Sequence, residues 1–94
     1  MSKESIRASI ERKKGDLARY RSDVARLRAK KSETRAHYTE MARRASTPSA
    51  KASFRNSKDT QCAAIDRQIQ SKQNDIARVQ RDIASLRAQL KTAK

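Results

Sequence analysis

The sequence predicts an all-α chain folded as an antiparallel two-helix coiled-coil hairpin, and three observations carry that reading. Apolar residues recur in steps of three or four along both halves, the spacing of one helix face in a coiled coil. The two stripes mirror each other about Pro48, the only proline of the 94 residues. One cluster of turn-forming residues, Ser46-Thr47-Pro48-Ser49, interrupts the pattern.

The first helix is expected over about residues 2–45. Ser2 suits an N-cap and Glu4 sits in the first turn, where a negative charge complements the helix dipole. Its stripe runs Lys3, Ile6, Ile10, Lys13, Leu17, Tyr20, Val24, Leu27, Lys31, Thr34, Tyr38, Met41. Gly15 costs about 1 kcal/mol against alanine in a helix interior, which a helix of roughly 65 Å absorbs. Arg43 and Arg44 stand in the last turn, where cations suit the dipole.

A turn over 46–48 then leads into a second helix over about 48–93. Thr47 suits its N-cap and Pro48 its first position, where the missing N–H is no loss. The stretch from Ser49 to Thr60, rich in Ser, Lys and Asn, is the weakest helix. The second stripe runs Arg55, Lys58, Cys62, Ile65, Ile69, Lys72, Ile76, Val79, Ile83, Leu86, Leu90, Ala93. The sequence stops at Leu90-Lys-Thr-Ala-Lys94 without a Gly or Pro, so the hairpin is expected to be the N-terminal part of a longer polypeptide.

Residues expected to face each other across the fold-back have numbers that sum to 96, as Val24 with Lys72, Tyr20 with Ile76, Leu17 with Val79 and Ile10 with Leu86. The apolar seam and candidate self-association surface is therefore Ile6, Ile10, Leu17, Tyr20, Val24, Leu27, Ile65, Ile69, Ile76, Val79, Ile83, Leu86 and Leu90. Lys13, Lys31 and Lys72 interrupt it opposite Ile83, Ile65 and Val24. Such residues either fix register at a cost in stability or snorkel out past the seam.

With Ile10 at position a of the heptad, the e positions of helix one are Arg7, Lys14, Arg21, Arg28 and Arg35, five cations at intervals of seven. An e-to-e edge puts Arg28 near Asp66 and Arg35 near Asp59. The opposite edge brings Asp16 near Asp82 and Asp23 near Asp75, a repulsive acidic patch unless a third helix supplies cations. The outer line of helix one is small: Ala8, Gly15, Ser22, Ala29 and Ala36, with Ala18, Ala25 and Ser32 beside it, while helix two has Ala63, Ala77 and Ala84 on a comparable face. Alanine is the best helix former, and small side chains also let another helix approach closely. The unbalanced edges favour the second explanation and predict dimerisation into a four-helix bundle or a larger helical assembly.

Composition bounds the function. One domain at most fits in 94 residues, and two helices enclose almost no interior. Lys and Arg outnumber Asp and Glu by 24 to 10, a formal charge of +14 that calls for acidic partners such as nucleic acid, anionic lipid or an acidic protein surface. A single cysteine, Cys62, excludes an internal disulfide and fits a reducing compartment; with no signal segment or membrane span, a cytoplasmic location is expected.

Catalysis is not expected. Zinc needs about two good ligands beyond Cys62 and His37, which the register brings near each other. A thiol nucleophile needs an oxyanion site and a pocket that a bare hairpin does not enclose. There is no glycine-rich phosphate loop, so no cofactor, metal or small-molecule substrate is expected. Tyr38, Met41 and Phe54 gather near the tip, with Arg44 expected over the Phe54 ring.

The segment Ala45-Ser-Thr-Pro-Ser-Ala-Lys-Ala-Ser, followed by Ala64-Ile-Asp-Arg-Gln-Ile-Gln-Ser-Lys-Gln-Asn-Asp-Ile-Ala-Arg-Val-Gln-Arg-Asp-Ile-Ala, resembles coiled-coil hairpins at the N-termini of some bacterial proteins. In that group a Ser/Thr-Pro-Ser-Thr-like turn precedes a lysine- or arginine-rich helix of the pattern Glu-Arg…Lys-Asp-Ile-Ala…Asp-Ile-Ala, and a Toll/interleukin-1-receptor-like or other effector domain often follows. The likeness covers roughly residues 20 to 90. It implies an assembly module that gathers or regulates a C-terminal effector, and it transfers no catalytic residue. Small helical-hairpin substrates of type VII secretion are similar in length, but they carry a Trp-x-Gly at the turn and this chain has no Trp.

The expected function is thus a non-enzymatic oligomerisation or scaffold module, acting through self-association or a protein partner. The alternative is a nucleic-acid-binding hairpin, similar to small plasmid RNA-binding hairpins, using Arg7, Lys14, Arg21, Arg28 and Arg35 on phosphates with Arg12, Arg19 and Arg26 one face over. Contact with an anionic membrane through the same edge is not expected, because no face outside the seam joins bulky apolar residues to it.

Overall fold

The computed structural model describes residues 2–93 and contains two α-helices, α1 (Lys3–Arg44) and α2 (Pro48–Thr92), with no strand among the described residues. They pack against each other as the expected antiparallel hairpin. The caps are those of the sequence pattern: Ser5 N–H donates to Ser2 Oγ at 3.1 Å, and Ala50 N–H donates to Thr47 Oγ1 at 3.1 Å. Pro48 opens α2 at the position where its missing donor costs nothing. Helix α1 closes with Ala45 N–H shared between the Met41 and Ala42 carbonyls, at 3.1 and 3.3 Å, a tightened last turn.

The chain forms two compact units. One combines α1 up to Val24 with α2 from Ser71 onward; the other is Ala25–Gln70 and contains the turn. In the first, Ile6, Ile10, Val79 and Ile83 form the buried core, with Ile6 only 2 % exposed, and Leu17, Tyr20, Leu86, Leu90 and Ala93 pack against it half-buried. Val24 is also buried there. In the second, Ile65, Cys62 and Ala42 are buried, flanked by half-buried Leu27, Thr34, Tyr38, Met41, Phe54 and Ile69. Every expected stripe residue is buried or half-buried except Lys3 and Arg55, which are exposed.

Arg55 marks a correction. Close to the turn the seam of α2 rotates by one residue, so that Phe54 is half-buried in place of Arg55, while on α1 the buried residue is Ala42, next to half-buried Met41. Burying the Phe54 ring gains apolar burial, whereas a buried Arg55 guanidinium would have to be desolvated.

The flanks carry a second correction. Lys13 Nζ lies 3.1 Å from Asp82 Oδ2 and Lys72 Nζ 3.5 Å from Asp23 Oδ2, while Arg19 pairs with Asp16 at 3.1 Å and Arg78 with Asp75 at 3.2 Å. The four aspartates expected to form a repulsive patch each have a cation from the same hairpin. In the turn-containing unit Asp66 is taken by Lys31 at 2.8 Å rather than by Arg28, and Arg35 makes no ion pair with a described residue. The cause is common to all three seam lysines. A half-buried ammonium needs a partner, and a lysine stem starting between the helices is long enough to reach the flanking carboxylate.

Candidate functional site

Three surfaces remain after the hairpin has satisfied itself. The first is the seam's open side. Among the described residues no side chain falls below 2 % exposure, and Leu17, Tyr20, Ile76, Leu86 and Leu90 in one unit and Leu27 and Ile69 in the other stay half-buried. A shallow groove lined by Lys14, Leu17, Gln80, Ile83, Ala84 and Arg87 opens onto this seam. Two cations lie over the Tyr20 ring, the Arg19 guanidinium 5.5 Å and the Lys72 ammonium 5.3 Å from its centroid.

The second is the outer face of α1. Ala8, Gly15, Ala18, Ser22, Ala25, Ala29, Ser32 and Ala36 are all exposed, and a Cβ added at Gly15 would meet nothing within 4 Å. On α2, Ala63 and Ala84 are exposed and Ala77 is half-buried.

The third is cationic. Arg7, Lys14, Arg21, Arg28 and Arg35 are exposed as expected; Lys14 reaches Glu11 at 3.4 Å, and the four arginines make no ion pair with a described residue. Arg12 donates to Ser9 Oγ at 3.0 Å, and Arg19 is engaged by Asp16. The structure adds a cluster that the heptad reading missed. At the turn, Thr39, Ala42 and Arg43 of α1 and Lys51, Arg55 and Lys58 of α2 line one shallow groove. A separate hollow on the other face of α2 is lined by Ser49, Ser53, Asn56, Ser57, Thr60 and Gln61. A signal was present in the sequence: residues 41–58 contain no Asp or Glu and five cations.

Glu40, just outside that stretch, binds two of the five. Its carboxylate accepts from Arg43 at 2.7 and 2.9 Å and from Arg44 Nε at 2.9 Å. The hydrogen bond from Arg43, its charge and the further bond from Arg44 hold the Glu40 carboxyl below its ordinary value, and the same contact raises Arg43. Arg44, expected over the Phe54 ring, is thus turned toward Glu40.

His37 is exposed, its ring edge-on to Tyr38 with centroids 5.0 Å apart, whereas Cys62 is buried and free. Tyr38 Oη accepts a hydrogen bond from Gln61 Nε2. Among the described residues no group of three or more His, Cys, Asp or Glu side chains is placed to hold a metal ion, and no helix is long and apolar enough to cross a membrane. Compared with known proteins, the chain matches no family model, no curated protein and no solved structure.

Proposed function

We propose that the hairpin is a non-enzymatic self-association module, a scaffold that gathers copies of itself or of a protein attached to it. The observation that carries this reading is the unfinished seam. Two helices cover each other on one side only, so large apolar side chains that a second hairpin would bury, Leu17, Leu86 and Leu90 among them, keep an open face. The groove at Leu17, Ile83 and Ala84 offers a place for another helix to lie, and the exposed small-residue line of α1 offers close approach on the other side. The resemblance of the turn and second helix to bacterial N-terminal hairpins supports the same reading, with a C-terminal effector as the cargo.

Asp16, Asp23, Asp75 and Asp82 are each paired within the hairpin and need no third helix, which leaves the open seam as the surface for a second copy. Light scattering across the micromolar range tests it. The wild-type chain is expected to be a dimer or larger, and Ala84→Glu, at an exposed position on the groove rim, is expected to be monomeric with its helix content retained. A folded wild-type monomer at all these concentrations overturns the proposal.

A further inference from the structure

We infer that the turn end of the hairpin is a binding surface for the sugar-phosphate backbone of a nucleic acid, with Lys51, Arg55 and Lys58 as its principal contacts. These three stand on successive turns of α2 and line one groove with Arg43. None of the three makes an ion pair with a described residue, so their charge is available to an outside anion. The acid-free run from 41 to 58 contains no carboxylate to neutralise them; of the acids that flank it, Glu40 is already occupied by Arg43 and Arg44, and Asp59 makes no ion pair with a described residue.

The chemistry beside the cations selects the partner. Nucleic-acid backbones are held by Arg and Lys together with short hydroxyl and amide side chains. Here the Thr39 hydroxyl lines the basic groove itself, together with Arg43, Lys51, Arg55 and Lys58. A lipid surface would want exposed bulky apolar residues to insert, but Phe54 and Met41 are half-buried in the seam. An acidic protein would want aromatic anchors, and none stands exposed on this surface. With no ring presented for stacking, the contact reads phosphates rather than bases and is indifferent to sequence. This places nucleic-acid contact at the turn, on residues outside the heptad-spaced α1 edge.

The inference is independent of self-association and is tested on the full chain by fluorescence anisotropy with labelled 20-mer duplex DNA, duplex RNA and single-stranded RNA over a salt series. The triple variant Lys51→Gln/Arg55→Gln/Lys58→Gln is expected to bind about tenfold or more weakly, with the log–log salt slope on duplex shallower by about 2.7. An equal charge reduction on the edge, Arg7→Gln/Arg21→Gln/Arg28→Gln, is expected to cost much less. Arg55→Gln alone, at an exposed position, gives a partial loss with folding unaffected and keeps the test valid should the triple variant lose helix. Equal losses in the two triple variants, no wild-type binding at low salt, or tighter binding to phosphatidylserine vesicles than to any nucleic acid would each overturn it. Light scattering on the same variants reports self-association separately, so the two proposals can fail one at a time.

Discussion

Lys31 Nζ lies 2.8 Å from Asp66 Oδ1, joining the two helices within the turn-containing unit although Lys31 occupies an apolar stripe position. The Lys31 side chain is 26 % exposed and that of Asp66 53 %, so solvent screens the pair only in part. A double-mutant cycle of Lys31→Met and Asp66→Asn, read by urea denaturation, is expected to give a coupling of about 0.5–1 kcal/mol. The charge swap Lys31→Asp/Asp66→Lys should recover only part of it, because a short aspartate cannot reach from the seam to the flank. Full recovery, or no coupling, would mean that the lysine sits in the seam for reasons other than this pair.

Truncations along the seam should grade with burial. Ile6→Ala and Ile83→Ala, both in the buried cluster, are expected to lower unfolding free energy by about 2–4 kcal/mol. Leu90→Ala, half-buried, should cost visibly less in a monomeric background such as Ala84→Glu. In the wild-type background the gap should narrow, since a second hairpin would cover Leu90. Thermal melts at two protein concentrations distinguish these outcomes.

Gly15→Ala is expected to stabilise the hairpin by about 0.5–1 kcal/mol, since the residue is helical, exposed and surrounded by open space. The change removes backbone freedom from the unfolded chain without displacing a neighbour. A loss of stability in the assembled protein, alongside a gain in the monomeric variant, would show another helix resting on that spot.

Glu40 should titrate below its ordinary value of 4.5, because Arg43 and then Arg44 hold its ionised form. The sign follows from the depressed folded-state pKa: the stabilising contact is fully present above pH 4.5 and is lost as pH falls through the lower folded-state value. Carboxyl NMR titration measures the midpoint directly, and Arg43→Gln/Arg44→Gln should return it to the usual range. Glu40→Gln, which frees both arginines at neutral pH, should tighten nucleic-acid binding.

Helix spans, caps and seam were legible because each rests on local chemistry. Thr47 and Pro48 read as a cap and first turn from residue type alone, and the three-and-four spacing of Ile6, Ile10, Val79 and Ile83 survives any detail of side-chain placement. Edge pairings were less legible. Heptad labels put Arg28 opposite Asp66, but they assign charges by starting position and ignore reach; a lysine stem spans more than one heptad site, so Lys31, Lys13 and Lys72 captured the acids. The turn surface escaped for a related reason. Lys51 and Lys58 are half-buried against α1, and Arg43 joins them only because the chain folds back, a proximity that a pattern read along one helix does not contain.

The three-residue link between Arg44 and Pro48 ties the growth of one arm to that of the other. Losing seven residues from α1 alone would leave an equal length of α2 overhanging, with its greasy side bare, whereas a deletion of one heptad from each arm at matching depth would simply shorten the molecule. Length variants of this hairpin should therefore be viable only in paired heptad steps, an arithmetic imposed by the tightness of its bend.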